Sequence, residues 1–215
     1  MISVTEQKPQ EEVTEFLGKC QAVYIIGCGS CVTVTHTGGK AQVLEMKEKL
    51  ESEGKKVTGW MVIPTACDEL AREALKEAGQ DVIKADCILI MTCAYGVQNI
   101  GMWSDKPVFP ALNTLFIGKE QITPGLFLEV CQQCGDCVLA DTGGICPVVS
   151  CNKGLLNGPC GGTNEGKCEI DSNKDCAWTL IYRRLEEQGR LDLYDKEQLP
   201  KNYLSGTKPG KITIQ

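Results

Sequence analysis

In the first half of the chain, compact apolar runs alternate with segments whose apolar residues recur at helical spacing. Residues 22–26 form an apolar run that predicts a buried strand, and the run ends at the turn Gly27-Cys28-Gly29-Ser30-Cys31. The other predicted elements are helices over 11–19, 40–53 and 68–78, strands over 56–63 and 85–91, and a candidate fourth strand over 107–109. This alternation predicts an α/β fold with an open, parallel, Rossmann-like sheet.

The second half has a different pattern, because residues 131–176 carry no sustained apolar period. Beyond them, apolar side chains at i, i+3, i+4 and i+7 predict one helix that runs to Gly189; they are Trp178, Ile181, Tyr182 and Leu185. The polar tail 191–215 predicts no independent element, and residues 118–125 predict a linker. We therefore expect an α/β domain over 1–120 and a loop-rich, ferredoxin-like domain with a terminal helix over 121–215.

Composition adds one anomaly to an otherwise globular chain of 215 residues, namely 14 cysteines. The polar, acidic first twenty residues lack a secretory signal, so we expect a cytoplasmic protein, where cysteine clusters bind metal rather than form disulfides. No apolar run reaches the roughly 20 residues that span a bilayer. A net charge of −6 argues against nucleic-acid binding.

Eight cysteines in the second half form the densest chemical motif: Cys131, Cys134, Cys137, Cys146, Cys151, Cys160, Cys168 and Cys176. Three cysteines spaced by two residues can wrap one face of a cubane cluster, and eight thiolates supply two [4Fe–4S] sites. The run is not that of a bacterial ferredoxin, because eight residues rather than three precede Cys146-Pro147. The sequence leaves open whether Cys160, Cys168 or Cys176 completes the site of the first three cysteines. Structural zinc is the alternative.

Four cysteines in the first half predict a further [4Fe–4S] cluster. Cys28 follows the first predicted strand, Cys67 follows the second, and Cys93 ends the third. Because parallel strands bring their carboxyl ends to one edge, these thiols converge there. Cys31 lies one C-x-x-C step beyond Cys28, near a helix start that favours anionic sulfur. The alternative is four isolated reduced thiols.

Other functional interpretations of the first half are weaker. The glycine turn lacks a dinucleotide fingerprint, because Val32 stands at the third glycine position and no acidic residue ends the second strand. We interpret His36 as an exposed turn residue, and Asp68 with Glu69 as favourable charges at a helix start. Cys20 and Cys87 are interpreted as a connector thiol and a buried small hydrophobe.

The C-terminal motifs resemble a known family. The relevant stretches are Cys146-Pro-Val-Val-Ser-Cys151-Asn-Lys-Gly-Leu-Leu-Asn-Gly-Pro-Cys160-Gly-Gly, Gly166-Lys-Cys168-Glu and Cys176-Ala-Trp178. They are similar to the cysteine-rich C-terminal domain of methylenetetrahydrofolate reductase, densely over 131–194 and more loosely in the first half. In acetogenic bacteria this domain belongs to a separate MetV-type small subunit beside a flavin-containing catalytic subunit. The family is described both as zinc-binding and as iron–sulfur.

The resemblance implies an accessory subunit that relays electrons to or from the flavin of its partner, during reduction of methylene- to methyl-tetrahydrofolate. The chain shows no nucleophile paired with histidine and no flavin or nicotinamide motif, so we expect no catalytic residue on it. A ferredoxin or further redox subunit would be the second partner. Two alternatives remain: a zinc-stabilised assembly subunit, and an enzyme with an open-site cluster.

Overall fold

The computed structural model describes residues 1–206 and 209–213, and the chain divides into two units, 1–128 and 129–215. The strands are β1 (Ile2–Gln7), β2 (Ala22–Cys28), β3 (Lys56–Ile63), β4 (Cys87–Met91), β5 (Val108–Pro110), β6 (Leu112–Glu120) and β7 (Phe127–Glu129). The α-helices are α1 (Gln10–Leu17), α2 (Cys31–Val34), α3 (Lys40–Ser52), α4 (Leu70–Ile83), α5 (Ala94–Trp103), α6 (Pro147–Ser150) and α7 (Ala177–Glu187). None of the helices within the described ranges is long and apolar enough to span a membrane.

The first unit is built on a parallel sheet with strand order β3-β2-β4-β5. Its two central strands are apolar along nearly their whole length, since helices cover both faces of a parallel sheet. On one face, Ile26 and Ile90 pack in a cluster that includes residues of α4 and α5. On the other face, Ile25 and Leu89 pack against residues of α1 and α3. The predicted parallel α/β sheet is confirmed.

A second, antiparallel sheet of order β1-β6-β7 was not expected from the sequence pattern. β1 is short and half polar, and its partner β6 lies more than a hundred residues along the chain. The predicted linker 118–125 is wrong, because it contains the end of β6 and a turn closed by Gln121 N–H donating to Leu126 C=O at 2.8 Å. The division between the units accordingly falls after residue 128 rather than at 120.

The second unit contains little regular structure apart from α6, α7 and two short 3-10 turns. The predicted terminal helix is confirmed as α7, and three of its apolar side chains form a small buried core, namely Trp178, Ile181 and Leu185. Tyr194 from the tail packs edge-on against Trp178, with ring centroids 5.8 Å apart. The tail therefore contributes to this unit, although the prediction for its residues 207, 208, 214 and 215 lies outside the described residues.

Candidate metal centres

The structure places the four N-terminal cysteines at the carboxyl edge of the parallel sheet. Cys28 is the last residue of β2, and Cys93 directly precedes α5 after β4. Cys67 follows β3, whose last residue Ile63 pairs with Cys28, and Cys31 begins α2. Because β2 lies between β3 and β4, the strand ends that carry three of these thiols are adjacent.

Hydrogen bonds tie the loop of Cys67 to its neighbours. The Cys28 Sγ accepts the N–H of Ala66 at 3.5 Å, which fixes the loop against the end of β2. From α5, the Asn99 amide donates to the carbonyls of Ala66 and Asp68, at 3.0 and 2.6 Å. These contacts hold the loop between two of the cysteine-bearing segments.

The four N-terminal thiols influence one another electrostatically. Burial and then the charges of Cys93, Cys28 and Cys31 raise the pKa of the Cys67 thiol. Cys28 and Cys93 are buried, Cys31 is half-buried and Cys67 is exposed. As thiolates, four cysteine sulfurs at one edge would repel one another unless a cation lay among them, so this donor set fits a soft metal site such as an iron–sulfur cluster or zinc.

Close backbone approach shapes this edge of the sheet at two glycines. A Cβ on Gly38 would lie 2.0 Å from the Met91 carbonyl oxygen. A Cβ on Gly96 would lie 2.5 Å from Thr92 Oγ1 and 3.1 Å from Ala66 Cβ. Only glycine lets the chain after Cys31 and the first turn of α5 pack so closely around the cysteines.

In the second unit, Cys131, Cys134 and Cys137 lie in one loop, with Cys131 and Cys137 exposed. Left-handed backbone at Gln133 and Gly135 turns the chain between the sulfurs. The buried Lys201 donates to the Asp136 carbonyl, and the Asn202 N–H donates to the Asp136 carboxylate at 2.9 Å. Tail residues thus hold this loop.

Four other cysteines of the second unit line a single small cavity, together with Lys153, Glu169 and Trp178; they are Cys151, Cys160, Cys168 and Cys176. All three cysteines that the sequence left as candidates to complete the triplet are in this ring. Cys146 is not among the residues that line the cavity. It caps the amino end of α6, and Cys151 caps the carboxyl end.

The surroundings of Cys176 favour the anionic form of its thiol. Partial burial acts to raise its pKa, but hydrogen bonds from Thr179, Thr163 and Trp178 outweigh burial and lower it. The residue caps the amino end of α7, where free N–H groups stabilise negative charge. A lowered pKa favours the thiolate form of the side chain, which is the form that binds a metal ion.

A charged pair accompanies the ring. The Cys160 thiol donates to Glu169 Oε2 at 3.0 Å, and Lys153 Nζ lies 3.0 Å from the same oxygen. Cys160 and then Lys153 lower the pKa of the Glu169 carboxyl, while the bond to Glu169 raises that of Lys153. This pair could not be predicted from the sequence, in which the only signal is the position of Glu169 next to Cys168.

Within residues 1–206 and 209–213, no three His, Cys, Asp or Glu side chains stand close enough together to hold a metal ion as placed. The assignment of the cysteines as ligands therefore stays a prediction, supported by the all-thiol chemistry of each set.

The other residues considered in the sequence have structural roles. His36 is exposed in a turn, and the Leu70 N–H donates to the Asp68 carboxylate at 2.8 Å, as interpreted from the sequence. Burial and then a hydrogen bond with Cys20 raise the pKa of the Cys87 thiol.

Comparison with known proteins relates part of the chain to one family. Residues 109–204 match the family described as “Methylene-tetrahydrofolate reductase C terminal”. The match includes all eight C-terminal cysteines, and it leaves the four N-terminal ones outside. No curated protein and no solved structure matches the chain. The relation to methylenetetrahydrofolate reductases predicted from the sequence is thus confirmed for this region.

Proposed function

We propose that this protein is an iron–sulfur electron-transfer subunit of a methylenetetrahydrofolate reductase complex. The family match over 109–204 carries the proposal, because it spans every cysteine of the C-terminal set. In support, the thiols of the N-terminal set lie at one sheet edge and four C-terminal thiols ring one cavity. The protein is, in this proposal, the MetV-type small subunit found in acetogenic bacteria, and it works in the cytoplasm.

The residues of the chain divide the work of holding and tuning the centres. [4Fe–4S] clusters, when bound, take up and release single electrons. Cys28, Cys31, Cys67 and Cys93 would hold one of them at the sheet edge. The eight C-terminal cysteines would hold two more, and the N–H groups at the start of α7 stabilise negative charge at Cys176. The folate chemistry takes place on the flavin of the partner, and a ferredoxin or further redox subunit exchanges electrons with this chain.

Anaerobic reconstitution with the flavin-containing subunit tests this function. The flavoprotein is mixed with a low-potential electron donor, with and without this chain, and flavin absorbance is followed in a stopped-flow instrument. We expect flavin reduction to accelerate at least tenfold when the metal-loaded chain is present. Equal rates with loaded chain, metal-free chain and no chain would contradict the proposal.

A zinc-binding assembly subunit is the second candidate function, and the size of the cavity favours it. The cavity that these four cysteines line together with eight other residues has a volume of about 20 Å³, little more than the space of one water molecule. A single zinc ion with Zn–S bonds of about 2.3 Å needs less room than a cubane cluster. In this alternative the chain stabilises the complex without carrying electrons, so metal-loaded chain would restore assembly but not the rate of flavin reduction.

A further inference from the structure

Spacing alone leaves open which C-terminal cysteines share a centre. The four cysteines that line one cavity indicate this grouping. We infer that Cys151, Cys160, Cys168 and Cys176 form one separate four-thiolate metal centre, with Lys153 as its fixed counter-charge. The inference rests on the proposed role of the eight cysteines as ligands. By subtraction, Cys146 completes the centre of Cys131, Cys134 and Cys137.

Backbone hydrogen bonds fix the segments that carry two of these four thiols. The Cys168 N–H donates to Lys174 C=O at 2.9 Å, and the Cys176 N–H donates to Gly166 C=O at 2.7 Å. These bonds and two isolated bridges centred on Lys167 join the two segments side by side. The indole N–H of Trp178, another residue of the cavity wall, donates to Leu155 C=O at 2.9 Å. These bonds hold the Cys168 and Cys176 segments side by side at the wall of the cavity.

The short helix α6 separates the two sets of cysteines. Cys146 caps one end and Cys151 caps the other, and only Cys151 lines the cavity. A chain that passes from the first centre to the second across one helical turn supplies a ligand to each. Two four-ligand centres account for all eight C-terminal cysteines.

Lys153 has a specific task at the second centre. As a thiol, Cys160 donates to Glu169 Oε2, but as a ligand it loses that proton and would face the carboxylate as a second anion. Glu169 packs directly over Gly162, where a Cβ would meet its carboxylate at 1.8 Å. The Lys153 ammonium, 3.0 Å from the same oxygen, neutralises one of the two charges. A positive charge beside thiolates also makes a redox centre easier to reduce.

Double variants of the full chain test the partition through iron, sulfide and zinc content after anaerobic purification. Cys168→Ala and Cys176→Ala should each remove one centre, and combining them should remove no more than either alone. Combining Cys146→Ala with Cys168→Ala should remove two. Loss of two centres from Cys168→Ala with Cys176→Ala, or of only one from Cys146→Ala with Cys168→Ala, would overturn the partition.

Lys153→Met tests the counter-charge while keeping every thiol, so the protein still folds around its ligands. We expect at least fivefold faster metal loss to a chelator from one centre only, a more negative reduction potential for that centre, and rescue by Lys153→Arg. Lys174→Met is the matched control, because Lys174 carries the same charge but bonds Asn152 Oδ1 at 2.9 Å. Unchanged metal loss and potential in Lys153→Met would overturn the role of Lys153.

These outcomes are distinct from failure of the proposed function. If the purified chain holds zinc and no sulfide, the proposed electron-transfer function is refuted. The zinc content of the same variants then still shows which cysteines share a centre. If the wild-type chain binds no metal at its C-terminal cysteines, both the proposed function and the partition are refuted.

Discussion

The two cysteine-rich regions of this protein position their thiols by different physical means. At the sheet edge, Cys28, Cys67 and Cys93 follow neighbouring parallel strands, so topology alone brings them together. In the second unit, thiols are placed by individual loop turns, left-handed residues such as Gln133, and contacts from the tail. The first arrangement is robust because a large core supports it, whereas the second depends on a small core and, in our proposal, on the metal.

Removing one of the proposed ligands at the sheet edge should have the largest effect. Cys93→Ala should lower bound iron by about four per chain, one cluster's worth, and leave the C-terminal centres intact. Cys87→Ala is the matched control, since it also removes a buried thiol. Cys87 is the first residue of β4, at the opposite end of the strand from Cys93. Iron and sulfide analysis measures both variants. An unchanged iron content in Cys93→Ala would show that the sheet edge holds no cluster.

Truncating the small core of the second unit should be the most damaging change to stability. Ile181→Ala removes a fully buried side chain from a core that has three buried members among the described residues, at a cost of about 2–5 kcal/mol. Trp178 fluorescence during urea unfolding reports this unit once Trp60 and Trp103 of the first unit are replaced by phenylalanine. Tyr182→Ala, on the same helix but 40% exposed, should cost less. Equal costs for the two variants would contradict the assignment of this core.

Glycine substitutions sharpen the contrast between the two regions. Gly38→Ala places a Cβ against the Met91 carbonyl oxygen and should cost about 3 kcal/mol, because Met91 lies in β4 and the Gly38 carbonyl accepts from Cys28 at the end of β2. In Gly144→Ala the new Cβ meets no atom within 4 Å, and the only penalty is the strain of a side chain at a φ of 83°. We therefore expect a loss of stability of about 1–2 kcal/mol. The two losses of stability are compared through the urea midpoints of the metal-free variants. A larger loss for Gly144→Ala than for Gly38→Ala would contradict the view that the first unit is the more rigid one.

The smallest predicted effect is a pH dependence at the amino end of the sheet. The backbone N–H groups of Ala22 and then Gln21 donate to Asp86, and they lower the pKa of its carboxyl. A lowered pKa stabilises the fold above the ordinary Asp pKa of about 3.9, and that contribution is lost as pH falls through the folded-state value. Asp86→Asn should reduce this acid sensitivity slightly in thermal unfolding scans from pH 6 to pH 3, and an unchanged pH profile would contradict it.

The comparison also explains which features could be predicted from sequence. The strand over 56–63 and the convergence of segments at the sheet edge follow from local apolar patterns and the rules of parallel crossovers. β1 and β6 were missed because their pairing spans most of the first unit, and β1 alone is too polar to indicate a strand. α5 was missed because its sequence of small and apolar residues lacks a clear helical stripe.

The candidate sites divide in the same way. The prediction that all twelve cysteines are ligands comes from spacing and topology, but the grouping of Cys151, Cys160, Cys168 and Cys176 at one cavity depends on loop conformations with no periodic signal. Lys153 and Glu169 are 16 residues apart in separate loops, so only the structure brings them to one sulfur.

Metal and sulfide analysis of the anaerobically purified, full-length chain tests the central claim most directly. The account predicts iron and acid-labile sulfide in equal amounts, about twelve of each for three [4Fe–4S] clusters, with a brown colour that bleaches on reduction. A colourless protein that contains zinc and no sulfide would contradict the electron-transfer role.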